Sequence, residues 1–131
     1  MFLDTSGLLC YLHRDEPQHA DAVAFFDATE SKLTHNYVVA EFVALAAARR
    51  LPRKEALSFA SDLLDHPDIN AIWVSESLHR EAMRLLTKQL DKGYSLCDAI
   101  SFLLMREQGV NEALTTDHHF EQAGLKRLLG P

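Results

Sequence analysis

Met1-Phe2-Leu3-Asp4-Thr5-Ser6 opens the chain with an apolar run that stops at a carboxylate and passes into two hydroxyl residues. Phe2 and Leu3 suit a strand, whereas Asp, Thr and Ser are residue types that satisfy the free N–H groups at the start of a helix. The segment reads as a first strand over Met1 to Asp4, followed by a helix from about Ser6 to His13. Beyond it the same alternation recurs. A helix over Gln18 to Thr29 precedes a weak second strand at Lys32 to Thr34. An Ala- and Leu-rich helix then spans Tyr37 to Arg50, with Asn36 as its N-cap and Arg49 and Arg50 at the negative end of its dipole.

Pro52 opens the next helix, to about Leu64, at a first-turn position where its missing N–H costs nothing. Asn70 to Val74 forms a third strand that carries Trp73 into the core. Ser75 caps a helix from Glu76 to about Asp91, stopped by Gly93. Ser95 caps another, with Asp98 at its third position in a capping-box arrangement; it runs to about Gln108 and ends at Gly109. Ala113 to Thr115 is a fourth strand, Phe120 to Ala123 a short helix, and Lys126 to Leu129 a last strand. Strands separated by helices imply a mostly parallel sheet of about five strands, covered on both faces.

The chain has 131 residues, a usual size for one domain, and no linker or repeat divides it, so residues 1–131 read as a single domain. A hydrophobic share of 47% against 24% charged is that of a globular chain rather than a disordered one. The first residues include Asp4 and lack a basic leader, and no apolar run approaches the ~20 residues needed to cross a bilayer. A cytoplasmic protein with no membrane partner is expected. Cys10 and Cys97 lack zinc-ligand spacing and read as buried free thiols. A formal net charge of −6 argues against a sequence-blind nucleic-acid binder of the basic-patch kind. It leaves room for a nuclease whose acids hold metal.

Four acids stand out against apolar surroundings: Asp4 after Phe2-Leu3, Glu41 inside Val38 to Ala48, Asp98 in Leu96-Cys97-Asp98-Ala99-Ile100, and Asp117 after Leu114-Thr115-Thr116. Each is expected at or near the buried layer. Ligands of an open parallel sheet bind outside the carboxyl ends of its strands, and all four acids project toward that rim. Clustered carboxylates raise one another's pKa unless a cation lies between them, and oxygen-only ligands select Mg²⁺ or Mn²⁺ over zinc. The competing structural readings make Asp4 a helix cap, Asp98 a capping-box partner only and Asp117 a turn residue. Glu41 is the hardest to explain that way, because Tyr37, Val38, Ala44 and Leu45 around it look buried.

In this order and at these separations the motifs resemble the PIN-domain nucleases, and among them the compact VapC-like ribonuclease toxins. The resemblance rests on Leu3-Asp4-Thr5-Ser6, the lone Glu41, Asp98 with Ser95 ahead of it, and Thr115-Thr116-Asp117 followed by Phe120. It implies a three-layer α/β/α fold and a metal-dependent endoribonuclease in which Asp4, Glu41, Asp98 and Asp117 form the metal site. Thr5, Ser6, Ser95 and Thr116 would orient those acids or the substrate. An RNA substrate, an antitoxin protein and a homodimer are the partners it implies. Ser101 and Phe102 depart from it, standing where the family tends to place small residues.

Other features are less committed. Arg80, Arg84 and Lys88 form a stripe at helical spacing that reads as a solvated face, with a phosphate-guiding rim as the sharper reading. Arg49, Arg50, Arg53 and Lys54 cluster around Pro52, as a wall of a dimer groove or an antitoxin contact under the resemblance. His118 and His119 match no zinc motif and read as exposed or structural. Two rival functions remain. A phosphohydrolase or phosphoacceptor using Asp4 lacks the second acid expected two residues on, where Ser6 stands. A PIN-like module that binds without cutting is the other, and the full acid set gives it no support.

Overall fold

The two residues of Phe2–Leu3 (β1) form the central strand of the sheet, in a computed structural model that describes residues 1–130. The other strands are Lys32–His35 (β2), Ile69–Ile72 (β3), Glu112–Leu114 (β4) and Lys126–Arg127 (β5). They lie in the order β3-β2-β1-β4-β5, and every pairing is parallel. β1 and β2 are buried along their whole length, as strands covered on both faces must be. Phe2 pairs with Leu33 on one side and Ala113 on the other, so the start of the chain is held between segments from its first and last thirds.

Among the described residues, seven helices cover the sheet: Thr5–Leu12 (α1), His19–Ala28 (α2), Asn36–Ala48 (α3), Arg53–Asp65 (α4), Glu76–Lys88 (α5), Leu96–Gln108 (α6) and His119–Gln122 (α7). The main core gathers Phe2, Leu3, Leu8, Phe42, Met105 and Phe120, and a smaller cluster of Ala82, Ala99, Ile100 and Leu104 joins α5 to α6. Gly7 sets the position of α1. A β-carbon there would stand 1.9 Å from the Leu114 carbonyl oxygen, so only glycine lets this helix lie directly on the end of β4. Cys10 and Cys97 are buried free thiols, as expected.

Several local expectations need correction. The N-cap of α3 is His35, whose Nδ1 accepts the Val38 N–H at 3.3 Å. Asn36 is the first residue of the helix, and its Oδ1 accepts the Val74 N–H instead, tying α3 to the segment after β3. Pro52 is the cap residue ahead of α4 rather than its first turn. α5 ends at Lys88, short of Gly93, whose φ of +70° belongs to the loop that follows. β3 starts and stops earlier than expected, and Trp73 lies beyond it with 69% of its surface exposed, so it is no part of the core.

His35 also anchors the interior. With Nδ1 accepting from Val38, the proton is on Nε2, which donates to Ser101 Oγ at 2.9 Å; that hydroxyl donates in turn to the Cys97 carbonyl at 2.8 Å. Burial lowers the His35 pKa to about 3, so the imidazole is neutral. Ser101 therefore has a specific task as the acceptor for a buried histidine, which accounts for a hydroxyl at that position.

Candidate metal centre

The chain leaves β1 for β2 on one side, and β4 closes on the other, so the carboxyl ends of β1 and β4 diverge into a crevice. Asp4 follows β1 at once, and Thr115 follows β4. Thr115 Oγ1 donates to Asp4 Oδ2 at 2.7 Å and accepts the Asp117 N–H at 3.0 Å. Ser6 Oγ lies 3.1 Å from the same Thr115 hydroxyl, 3.4 Å from Asp4 Oδ2, and accepts the Thr116 N–H at 2.9 Å. Asp4 has the backbone geometry of a helix cap but makes no side-chain cap bond, so capping does not explain its burial.

Asp98 arrives from a third direction, in the first turn of α6. Its N–H donates to Ser95 Oγ and its Oδ2 accepts the Ser95 N–H, both at 3.0 Å, completing the capping box. Those bonds fix the carboxylate without removing it from the crevice. Glu41 comes from the second turn of α3. It is exposed, as is Ala44; the buried stripe of the helix is Val38, Phe42 and Ala46. Glu41 therefore stands at the open rim rather than in a buried layer. Asp4, Glu41, Asp98 and Asp117 line one open depression of about 290 Å³, together with Thr5, Ser6, Ser95 and His119.

Thr116 is expected to position the acids, but the side chain that reaches them is that of Thr115. Thr116 contributes its backbone, through an N–H to Ser6 and a carbonyl that accepts from Arg127 at 3.1 Å. His119, expected to be exposed or structural, also lines the depression. Its Nδ1 lies 3.0 Å from Asp117 Oδ1 and 3.6 Å from Asp98 Oδ2, and its N–H donates to Asp117 Oδ1 at 2.9 Å. The only advance signal was the histidine two residues beyond an acid of the set. His118 is exposed, as expected.

Electrostatics favours a bound cation here. Burial lifts the pKa of Asp4 to about 7; the Thr115 bond opposes that rise, and the charges of Asp98 and Glu41 add to it. Asp98 is raised as well, mainly by burial, with the Ser95 backbone bond opposing and Asp117 adding. No Lys or Arg lines the depression to offset these charges, among the described residues. The Thr5 hydroxyl is buried beside the acids with no hydrogen-bond partner among the described residues. Several hard oxygen donors, a deficit of positive charge and an unpartnered hydroxyl suit a divalent cation with its water. A cavity of about 600 Å³ at the far end of α1, lined by His13, Arg14, Arg50 and Pro52 among others, includes none of these acids.

The family model of the PIN domain matches residues 1–126, and the chain belongs to that family. Among individual proteins it is similar to the "23S rRNA-specific endonuclease VapC20" of Mycobacterium tuberculosis, in strains CDC 1551 and H37Rv. It is 27% identical to each over 125 residues, which is 95% of this chain and 94% of the relative. The crystal structure of Mycobacterium tuberculosis VapC20, a sarcin-ricin-loop-cleaving toxin, matches with a TM-score of 0.87 at 26% identity, over 95% of both chains. The chain is thus a VapC-like PIN-domain homologue of endonuclease toxins, with the α/β/α architecture that the resemblance implied. No described helix is long and apolar enough to cross a membrane.

Proposed function

We propose that residues 1–131 form one nuclease domain, a metal-dependent endoribonuclease that hydrolyses RNA phosphodiesters and acts as the toxin of a toxin–antitoxin pair. The observation that carries this reading is the convergence of four carboxylates from four separate elements on one depression that no Lys or Arg lines. Asp4, Asp98 and Asp117 would hold Mg²⁺ or Mn²⁺, with Glu41 binding it directly or holding its water. When bound, such an ion lowers the pKa of a coordinated water and offsets charge on the phosphoryl oxygens.

The chain's own residues do the rest. Thr115 and Ser6 orient Asp4, and Thr115 fixes the loop that carries Asp117. Ser95 holds Asp98 in place. Glu41, exposed at the rim, is placed to accept the proton that an attacking water gives up. The open depression admits an extended strand from the side, which suits a single-stranded or looped RNA better than a duplex. VapC20 is named for action on 23S rRNA, and a structured RNA loop is the substrate class we extend to this chain. A cognate antitoxin, a homodimer and a cytoplasmic setting complete the proposal, on family resemblance.

The test is cleavage of a panel of tRNA, ribosomal-loop and short single-stranded RNAs by the purified protein with Mg²⁺, Mn²⁺ or EDTA, beside Asp4→Asn and Asp98→Asn. Metal-dependent cutting lost in both variants is expected. Cutting that survives EDTA and both substitutions would refute the site, and no cutting with no metal binding would leave a module that binds without catalysis.

A further inference from the structure

Asp117, His118 and His119 bring one ligand atom each to within 4.8 Å of one another, at the edge of the depression nearest α7. His119 Nδ1 is 3.0 Å from Asp117 Oδ1, and His118 Nδ1 is 3.7 Å from that same oxygen. Zinc bonds to nitrogen and oxygen of about 2.0–2.2 Å put tetrahedral ligand atoms roughly 3.3–3.5 Å apart. The two distances to Asp117 bracket that value, and the ligand atoms of the three residues all lie within 4.8 Å of one another.

The arrangement is partly fixed in advance. The His119 ring stands edge-on to Tyr94, with ring centres 5.5 Å apart and an interplanar angle of 89°. The backbone N–H of His119 donates to Asp117 Oδ1, which locks the turn between the two residues. The His118 side chain is 65% exposed, so an ion reaches the group from solvent without any opening of the fold. His119 Nδ1 also lies 3.3 Å from Asp117 Oδ2, so both carboxylate oxygens are within reach of the imidazole. Two imidazoles and one carboxylate prefer a borderline ion such as Zn²⁺, whereas the carboxylates of Asp4 and Asp98 prefer Mg²⁺ or Mn²⁺.

We propose that Asp117, His118 and His119 form a three-ligand zinc site that shares Asp117 with the catalytic acids, and that zinc bound there inhibits the nuclease by withdrawing that carboxylate. The inhibitory half rests on the nuclease reading given above; the zinc site does not.

The experiment is calorimetric titration of the metal-free protein with Zn²⁺, repeated with Co²⁺ followed by visible absorption, for wild type, His118→Ala, His119→Gln and the double variant Asp4→Asn/Asp98→Asn. Wild type is expected to take one zinc, with affinity weakened about tenfold or more by either histidine change. The double carboxamide variant is expected to retain wild-type zinc affinity within roughly threefold. Equal zinc affinity in the histidine variants, or loss of zinc binding in the double variant, overturns the site. His118 lies on the surface, and a thermal melt equal to wild type certifies His118→Ala as folded.

In Mn²⁺-supported RNA cleavage, micromolar zinc is expected to slow wild type and to have far less effect on His118→Ala, each rate normalised to that protein's zinc-free rate. Zinc that binds without slowing wild type overturns the inhibitory half. An absence of Mn²⁺-dependent cleavage refutes the nuclease reading, and with it the inhibition, while the isotherms still decide whether the zinc site exists.

Discussion

Thr115 donates its hydroxyl proton to Asp4 across 2.7 Å, joining residues 111 positions apart in the chain. The bond crosses from the end of β4 to the end of β1, and the same oxygen accepts from the backbone of Asp117. One buried hydroxyl therefore sets the separation of two acids that arrive on different strands.

Thr115→Val keeps the shape and removes both bonds, leaving the buried Asp4 carboxylate and the part-buried Asp117 N–H short of partners. A loss of about 1–3 kcal/mol in urea unfolding is expected. The thermal shift given by saturating Mn²⁺ should shrink as well, and Thr115→Ser should restore most of both. Full stability in the valine variant would show that Ser6 alone suffices.

Asp4 and His35 are expected to pull the stability of the metal-free protein in opposite directions with pH. Asp4 has its pKa raised to about 7, so its contribution is greatest below its unfolded value near 3.8 and is lost as pH rises through 7. His35 is depressed to about 3, so its contribution is present above its unfolded value near 6.5 and is lost as pH falls. Between about pH 4 and 6.5 each slope approaches ~1.4 kcal/mol per pH unit, with opposite signs. Asp4→Asn should therefore be more stable than wild type at pH 8 without metal, equal to it below about pH 4, and more steeply weakened by acid in between. Unfolding curves at a series of pH values read this directly, and parallel profiles for the two proteins would contradict the burial argument.

Asp98 closes the capping box of α6 and is one of the acids proposed to hold metal, and two substitutions separate these duties. Asn at 98 can still accept the Ser95 N–H, whereas Ala cannot. Asp98→Asn should lose the Mn²⁺-induced thermal shift at near-native stability, and Asp98→Ala should in addition cost about 0.5–2 kcal/mol, the usual worth of a cap. Equal stability in the two variants would mean that the capping box contributes nothing.

Ser101→Ala removes the acceptor for the Nε2 proton of a wholly buried His35. About 1–3 kcal/mol of stability is expected to go with it. Ser101→Gly should cost more, through helix propensity. In wild type, the ¹⁵N shifts of this ring should report the neutral Nε2–H form from pH 8 down to pH 5.

Local relations in the sequence were the most legible. Ser95 and Asp98 form their capping box across three residues, which a reader of the chain can count. Asp4 and Asp117 also fell just beyond the ends of β1 and β4, because strands separated by helices admit few topologies. Thr115 was hidden because its role depends on β4 lying beside β1, and two threonines in a row gave no sign of which side chain turns inward. His119 was hidden for a related reason: nothing local to Asp117 and His119 announces that the turn folds back toward Asp98. Glu41 misled in the other direction. The exposed face of α3 is rich in alanine, so a carboxylate on the surface looked like an intrusion into the core. Trp73 fell outside because an apolar residue directly past a strand end carries no mark of its register.

The central position of β1 imposes an order on synthesis. Asp4 is the first acid translated, yet its strand has one open edge until β4 has been made and docked, and Thr115 and Asp117 follow β4. A growing chain thus carries the first acid long before the residues that complete the centre. Any truncation ahead of residue 115 removes both Thr115 and Asp117 and leaves Asp4 without the hydroxyl that holds it.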